Sequence, residues 1–111
     1  MEASWIDICG VEEIWPNTGV CALVGATQIA VFRLAGTDGE HLYAIDNRDP
    51  FSGANVLSRG LLGNLGERRV VASPIYKQHF DLATGACIED PAVSVRTYRV
   101  RVADGRVQVA A

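Results

Sequence analysis

Between residues 98 and 109 the chain reads YRVRVADGRVQV, two alternating runs of apolar and polar residues joined by Asp104-Gly105. An Asp-Gly pair supplies the two positive-φ residues of a type I′ turn, whose twist matches that of the strands it joins. The pairing sets Val102 opposite Val107 and Val100 opposite Val109. All four valines then share one face, and Arg99, Arg101, Arg106 and Gln108 share the other. A chain that repeats short runs of this kind between turns can bury its apolar side only against other strands.

The pattern recurs upstream. Residues 28–46, QIAVFRLAGTDGEHLYAID, read as a second hairpin turning at Gly-Thr-Asp-Gly, 36–39. Its strands are apolar on both faces, which predicts a central position. A third hairpin, HFDLATGACIED at 79–90, turns at Ala83-Thr84-Gly85, and the short strand ERRVVAS at 67–73 is stopped by Pro74. Two more strands are expected around 4–8 and 19–24. The one plausible helical turn is GVEEIW at 10–15, ended by Pro16. The stretch GLLGNLG at 60–66 lacks the dinucleotide spacing and a following helix, and reads as a flexible loop. About seven to nine short strands at regular spacing imply an all-β, antiparallel sandwich or barrel. With no internal repeat, low-complexity tract or linker, residues 1–111 are expected to form a single domain.

Composition agrees and narrows the function. A chain of 111 residues, 49% apolar and 21% charged, is globular in character, and a domain of this size buries roughly two-thirds of its unfolded surface. The balance of 10 Lys and Arg against 13 Asp and Glu leaves a net charge of −3, which offers phosphate backbones no general attraction, so nucleic acid is not an expected partner. The N-terminus lacks the basic and apolar regions of a secretory signal, and the longest apolar-leaning stretch, 20–32, is too short to span a bilayer. A cytoplasmic protein without a membrane partner is expected. Cys9, Cys21 and Cys87 form no CxxC pair and are expected to be small buried hydrophobes, with no disulfide-linked partner.

Catalytic constellations are scarce. His41 and His79 have no Cys or His at metal-ligand spacing and read as hydrogen-bonded structural residues. No serine sits in G-x-S-x-G. Gly53 and Gly85 are expected to meet turn dihedrals, Pro50 and Pro74 to fix loop direction, and Asp81, Thr84 and Asp104 to cap turns.

Two loops carry more information. A Rieske [2Fe–2S] centre takes two Cys thiolates on one iron and two His on the other, a Cys–His pair from each of two loops. The loops of that family run C-P-H-x-G-A and C-P-x-H, the second followed by F-D-L-x-T-G. This chain reads D-P-F-S-G-A at 49–54, S-P-I-Y at 73–76 and F-D-L-A-T-G at 80–85. The framework resembles a Rieske domain, while the four ligand positions hold Asp49, Phe51, Ser73 and Tyr76. Hard oxygens and benzenoid rings do not replace thiolate and imidazole, so no cofactor and no metal is expected in this chain. Phe51 and Tyr76 are expected to pack into the vacated space and hold the loops together.

Across 43–60, 71–91 and 98–107 the chain is similar to the small-subunit family of assimilatory NAD(P)H-dependent nitrite reductases. The resemblance implies a Rieske-like β-sandwich of several short sheets without a cluster. It implies further a large subunit carrying flavin, an iron–sulfur cluster and siroheme, which reduces nitrite to ammonia. A chain with no catalytic centre must act through its surface. The expected contact is the loop tip: Arg48, Phe51, Ser52 and Asn55 from the first loop, Ile75, Lys77 and Gln78 from the second. Two other classes stand beside this reading: a Rieske-type ferredoxin carrying electrons, which requires the missing ligands, and another β-sandwich interaction module.

Overall fold

The structure, a computed structural model, describes residues 4–37 and 39–110. Its strands are β1 (Trp5–Gly10), β2 (Thr18–Val24), β3 (Thr27–Gly36), β4 (Gly39–Asp46), β5 (Leu61–Leu65), β6 (Arg68–Ala72), β7 (His79–Asp81), β8 (Thr97–Tyr98), β9 (Val100–Ala103) and β10 (Arg106–Ala110). They form three antiparallel sheets, in the orders β1-β10-β9, β2-β3-β4-β8 and β5-β6-β7. This is the all-β arrangement of short antiparallel sheets that the turn spacing predicts.

The four-stranded sheet is the middle layer. Successive residues of a strand point to opposite faces, and β3 sends Ala30, Phe32 and Leu34 into one core and Ile29 and Val31 into another. The first core packs these side chains with Leu57, Val71, Phe80 and Leu82, under the β5-β6-β7 sheet. The second packs them with Ile14, Val107 and Val109, under the β1-β10-β9 sheet. An unbroken apolar run is what a strand between two cores needs. Phe32 and Phe80 are fully buried, each contributing roughly 1.5–3 kcal/mol by leaving water.

The terminal hairpin has the expected register, with Val107 opposite Val102 and Val109 opposite Val100. Asp104 and Gly105 turn it at φ of 52° and 74°. Val107 and Val109 are buried, but Val102 is 47% exposed because β9 is the sheet's edge and the second core stops short of it. In the second hairpin Gly36 pairs with Gly39; Asp38 of the expected 36–39 turn lies outside the described residues. The third hairpin returns through the bridge Phe80–Cys87 and the bonds from the Asp81 amide to the Ala86 carbonyl and from the Ile88 amide to the His79 carbonyl, not as a full strand.

Residues 60–66 correct the loop expectation. Leu61–Leu65 is a strand, β5, paired along all five residues with β6 and joined to it at Gly66, φ 64°. Its Leu62 packs on the first core, which is why the segment pairs instead of running free. A Gly-Glu pair just before a recognisable strand was the available signal. The helical turn contracts to a 3-10 turn at Val11–Glu13, where the Glu13 carboxylate accepts the Gly10 amide at 2.6 Å. Cys87 is buried and Cys9 half-buried, but Cys21 is exposed on the edge strand β2, against expectation. His79 Nδ1 meets Glu89 Oε2 at 2.6 Å, and the His41 ring stacks on Tyr43. No described helix is long and apolar enough to cross a membrane.

Candidate functional site

The two loops begin where strands end, at Asp49-Pro50 after β4 and Ser73-Pro74 after β6. Proline holds the residue before it extended, which leaves that residue's side-chain oxygen free to meet the amide two positions on. Asp49 Oδ1 accepts the Phe51 amide at 2.8 Å, and Ser73 Oγ accepts the Ile75 amide at 3.3 Å. Four positions on, the Gly53 amide donates to the Asp49 carbonyl at 2.7 Å and the Lys77 amide to the Ser73 carbonyl at 3.1 Å. The Asp49 and Ser73 amides close the loops by donating to the carbonyls of Ala54 and Gln78, at 2.8 and 2.9 Å. The loops are one turn built twice. A third copy starts at Asp81, whose Oδ1 accepts the Ala83 amide at 2.8 Å and whose carbonyl accepts the Gly85 amide at 2.7 Å.

Each copy needs a left-handed residue in fifth place, where φ is 77° at Gly53, 80° at Gly85 and 67° at Lys77. Lys77 bears a Cβ where the other two copies use glycine, and a side chain in this region costs about 1–2 kcal/mol. Lys77→Gly is therefore expected to raise stability, by about 0.5–1 kcal/mol after the extra freedom of glycine in the unfolded chain. A chemical denaturation midpoint that falls instead would show that the lysine side chain holds the turn.

The two copies are pinned together at their first residues. Ser73 Oγ–H donates to Asp49 Oδ2 at 2.5 Å, and both residues are fully buried. A carboxylate this deep needs its lone pairs occupied, and among the described residues no cation forms an ion pair with it. The Ser73 hydroxyl and the Phe51 amide satisfy it. The base of the first loop is held by Asn47, also buried, whose Oδ1 accepts the Ser58 amide at 2.7 Å and whose Nδ2 donates to Gln28 Oε1 at 3.1 Å. Sequence reasoning did not single out Asn47; an Asn just outside a loop framework was its only trace.

The two rings behave differently. Phe51 is half-buried, packing on the first core with its ring centroid 6.2 Å from that of Phe80, as expected in kind. Tyr76 is 59% exposed, which corrects the expectation that it fills the space between the loops. That space is closed by the Asp49–Ser73 hydrogen bond, so the ring has no cavity to enter. The surface candidates also divide. Ile75 and Lys77 project into solvent beside Tyr76. Arg48 and Asn55 face a groove shared with Thr27 and Gln28, away from the second loop. Ser52 is half-buried, its Oγ accepting the Ala54 amide at 3.2 Å, and Gln78 keeps its Oε1 buried.

Residues 4–110 match the Rieske-like [2Fe-2S] domain family. The nitrite reductase (NADH) small subunit of Escherichia coli strain K12 is 48% identical over 107 residues, which cover 96% of this chain and 97% of that protein. The chain belongs to this Rieske-like small-subunit family. The NMR structure of the E. coli protein NirD superposes with a TM-score of 0.89 at 46% identity, over 99% of this chain and 98% of that one. A nitrite reductase [NAD(P)H] large subunit of Klebsiella oxytoca is 43% identical over 105 residues, 95% of this chain but 11% of that protein. The ferredoxin of carbazole 1,9a-dioxygenase from Nocardioides aromaticivorans shares the fold, with a TM-score of 0.81 at 24% identity over 97% of this chain and 98% of that one.

The residues at the Rieske ligand positions do not fit a [2Fe–2S] cluster. The oxygens of Asp49 and Ser73 are spent on each other and on loop amides, the Phe51 ring lies against Phe80, and Tyr76 points to solvent. Two thiolates and two imidazoles are required there. Among the described residues no three His, Cys, Asp or Glu side chains group as metal ligands.

Proposed function

We propose that this chain acts as the small subunit of an assimilatory NAD(P)H-dependent nitrite reductase in the cytoplasm. It docks on a large subunit that carries the flavin, iron–sulfur cluster and siroheme and reduces nitrite to ammonia. The observation that carries this reading is identity of 48% along nearly the whole of both chains to a nitrite reductase small subunit. The like segment inside the Klebsiella oxytoca large subunit supports it, because a domain of this kind is there part of the large chain itself. An electron-carrier role would require a cluster that Asp49, Phe51, Ser73 and Tyr76 do not fit.

The docking surface is the loop tip. Ile75, Tyr76 and Lys77 stand exposed in a row on a turn rigidly fastened at its base, with Phe51 and Ser52 beside it, Gln78 behind, and Arg48 and Asn55 on the flank. Exposed apolar and aromatic side chains on a stiff turn lose little conformational freedom on binding. Left-handed strain at Lys77 is also the kind retained where function needs a particular backbone shape. Co-expression with the large subunit tests this: Tyr76→Asp with Lys77→Glu should lose co-purification at least about tenfold while the chain stays folded, a loss expected for residues central to an interface. Unchanged recovery of the complex would remove the tip as the contact.

A further inference from the structure

At the junction of the middle sheet with the β1-β10-β9 sheet, one extended segment changes partners. Thr97 and Tyr98 pair with Ile45 and Ala44, and Val100–Ala103 pair with β10. Among the described residues β4 thus has a paired strand on its outer side only at Ala44 and Ile45, with the Asp46 amide donating outward to the Arg96 carbonyl at 2.9 Å. Outward-facing backbone groups alternate along an antiparallel strand. Leu42 and Glu40 therefore turn their N–H and C=O groups to the same side as Asp46, where no described strand covers them. A groove of about 510 Å³ opens along this edge, lined among others by Trp5, Leu42, Tyr43, Leu82, Arg99 and Val100. Leu42 belongs to the second core and Tyr43 to the first, so the groove looks onto the rim of the sheet and not onto either face.

The rim is cationic. The guanidinium carbons of Arg99 and Arg101 lie 5.4 and 4.2 Å from the Trp5 ring centroid, and that of Arg96 lies 4.9 Å from the Tyr98 ring. Stacking holds a guanidinium by its face and leaves N–H edges for a carboxylate; Arg101 spends its Nε–H on Gln108 Oε1 at 2.8 Å and keeps its terminal N–H groups for one. Arg33, Arg68 and Arg106 each have a carboxylate partner within the chain, but among the described residues none pairs with Arg96, Arg99 or Arg101. The nearby Asp46 carboxylate accepts the Tyr98 hydroxyl at 2.6 Å instead. Arg99, which lines the groove, and Arg101, on the same Trp5 ring, have no carboxylate partner among the described residues and stand beside the uncovered edge of a chain whose net charge is −3, while Arg96 lies at the covered end of β4.

We propose that this edge is a second docking surface, on which an extended carboxylate-bearing segment of the large subunit adds as a strand beside Glu40–Leu42 with its carboxylates on Arg99 and Arg101. Backbone bonds to the edge supply the pairing and the arginines supply its polarity and salt dependence. The proposal rests on the subunit reading above, and uses a surface separate from the loop tip.

The full chain and the full large subunit together provide the test. Hydrogen exchange at the Glu40 and Leu42 amides should be fast in the free chain and slow in the complex. Arg99→Glu with Arg101→Glu should abolish that protection, weaken binding about tenfold or more at low salt, and flatten the dependence of affinity on ionic strength. Both side chains are exposed, so an unchanged melting curve is expected. Exchange at these amides that is unaffected by the large subunit overturns the proposal, as does wild-type affinity in the double variant. Binding lost in Tyr76→Asp with Lys77→Glu but retained in Arg99→Glu with Arg101→Glu removes the edge and keeps the tip; the reverse keeps the edge and removes the tip. Protection that appears when the chain is concentrated alone makes a second copy the occupant and overturns the assignment. No complex with the wild-type chain removes the subunit reading itself.

Discussion

Asp49→Ala and Ser73→Ala are each expected to destabilise the chain by about 3 kcal/mol, because each orphans a buried polar group of its partner, the Ser73 O–H or Asp49 Oδ2. Asp49→Ala strands the Ser73 hydroxyl and the Phe51 amide; Ser73→Ala strands a carboxylate oxygen with no described cation near enough to compensate. For a domain of about 100 residues such a loss lowers the melting temperature by roughly 12–24 °C. The double variant should cost less than the two single variants together, by about 1–3 kcal/mol, since the second substitution removes the group that the first had orphaned. Thermal melts of the four proteins, followed by circular dichroism, measure that coupling. Strict additivity would mean that the two loops are not held by this pair. The expected size reflects its position: the bond joins residues 24 apart in the chain, at the place where the Rieske framework would be cross-linked by its cluster.

Gly85→Ala is expected to be more damaging than Gly53→Ala although both glycines occupy the same place in the same turn. A Cβ on Gly85 would lie 2.1 Å from the Val95 carbonyl oxygen, a backbone atom of a residue tied to the turn through its amide, which donates to the Gly85 carbonyl at 2.9 Å. On Gly53 the nearest atom is a guanidinium nitrogen of Arg48 at 3.5 Å, on a side chain that can move. Gly53→Ala should cost about 1–2 kcal/mol for its left-handed backbone alone. Gly85→Ala should exceed about 4 kcal/mol, because the 85–95 contact must also break. Against the 5–15 kcal/mol typical of natural domains, that is the difference between a weakened protein and one that barely folds. Urea titration of the two variants separates these outcomes, and equal midpoints would show that Val95 moves aside freely.

The same two glycines mark how much was legible beforehand. F-S-G-A and A-T-G-A both announce a turn with a left-handed residue, because only short-range sterics decide that. Which glycine touches backbone from ten residues away depends on how 91–95 folds back, and no local pattern encodes it. The rings divide likewise. Phe51 and Tyr76 stand where the Rieske motif has its two histidines and looked interchangeable as space-fillers, but they are the third and fourth residues of their turns; Phe51 has Phe80 within reach and Tyr76 turns to solvent. β5 was hidden for a related reason. Leu61–Leu65 carries one inward leucine and two outward ones, too weak an alternation to mark a strand until β6 supplies its partner.

By itself, then, the sequence determined the all-β architecture, the register of the terminal hairpin, the burial of β3 on both sides and the loss of cluster ligands. Each follows from side-chain alternation, turn stereochemistry or donor chemistry at known spacing, all local properties. The tertiary structure decided that Asp49 and Ser73 bond to each other, that Tyr76 faces water, and that the outer edge of β4 lies open beside Arg99 and Arg101, which have no carboxylate partner among the described residues. Those outcomes depend on which distant segments meet, and that is set by how two cores on opposite faces of one sheet pack at the same time.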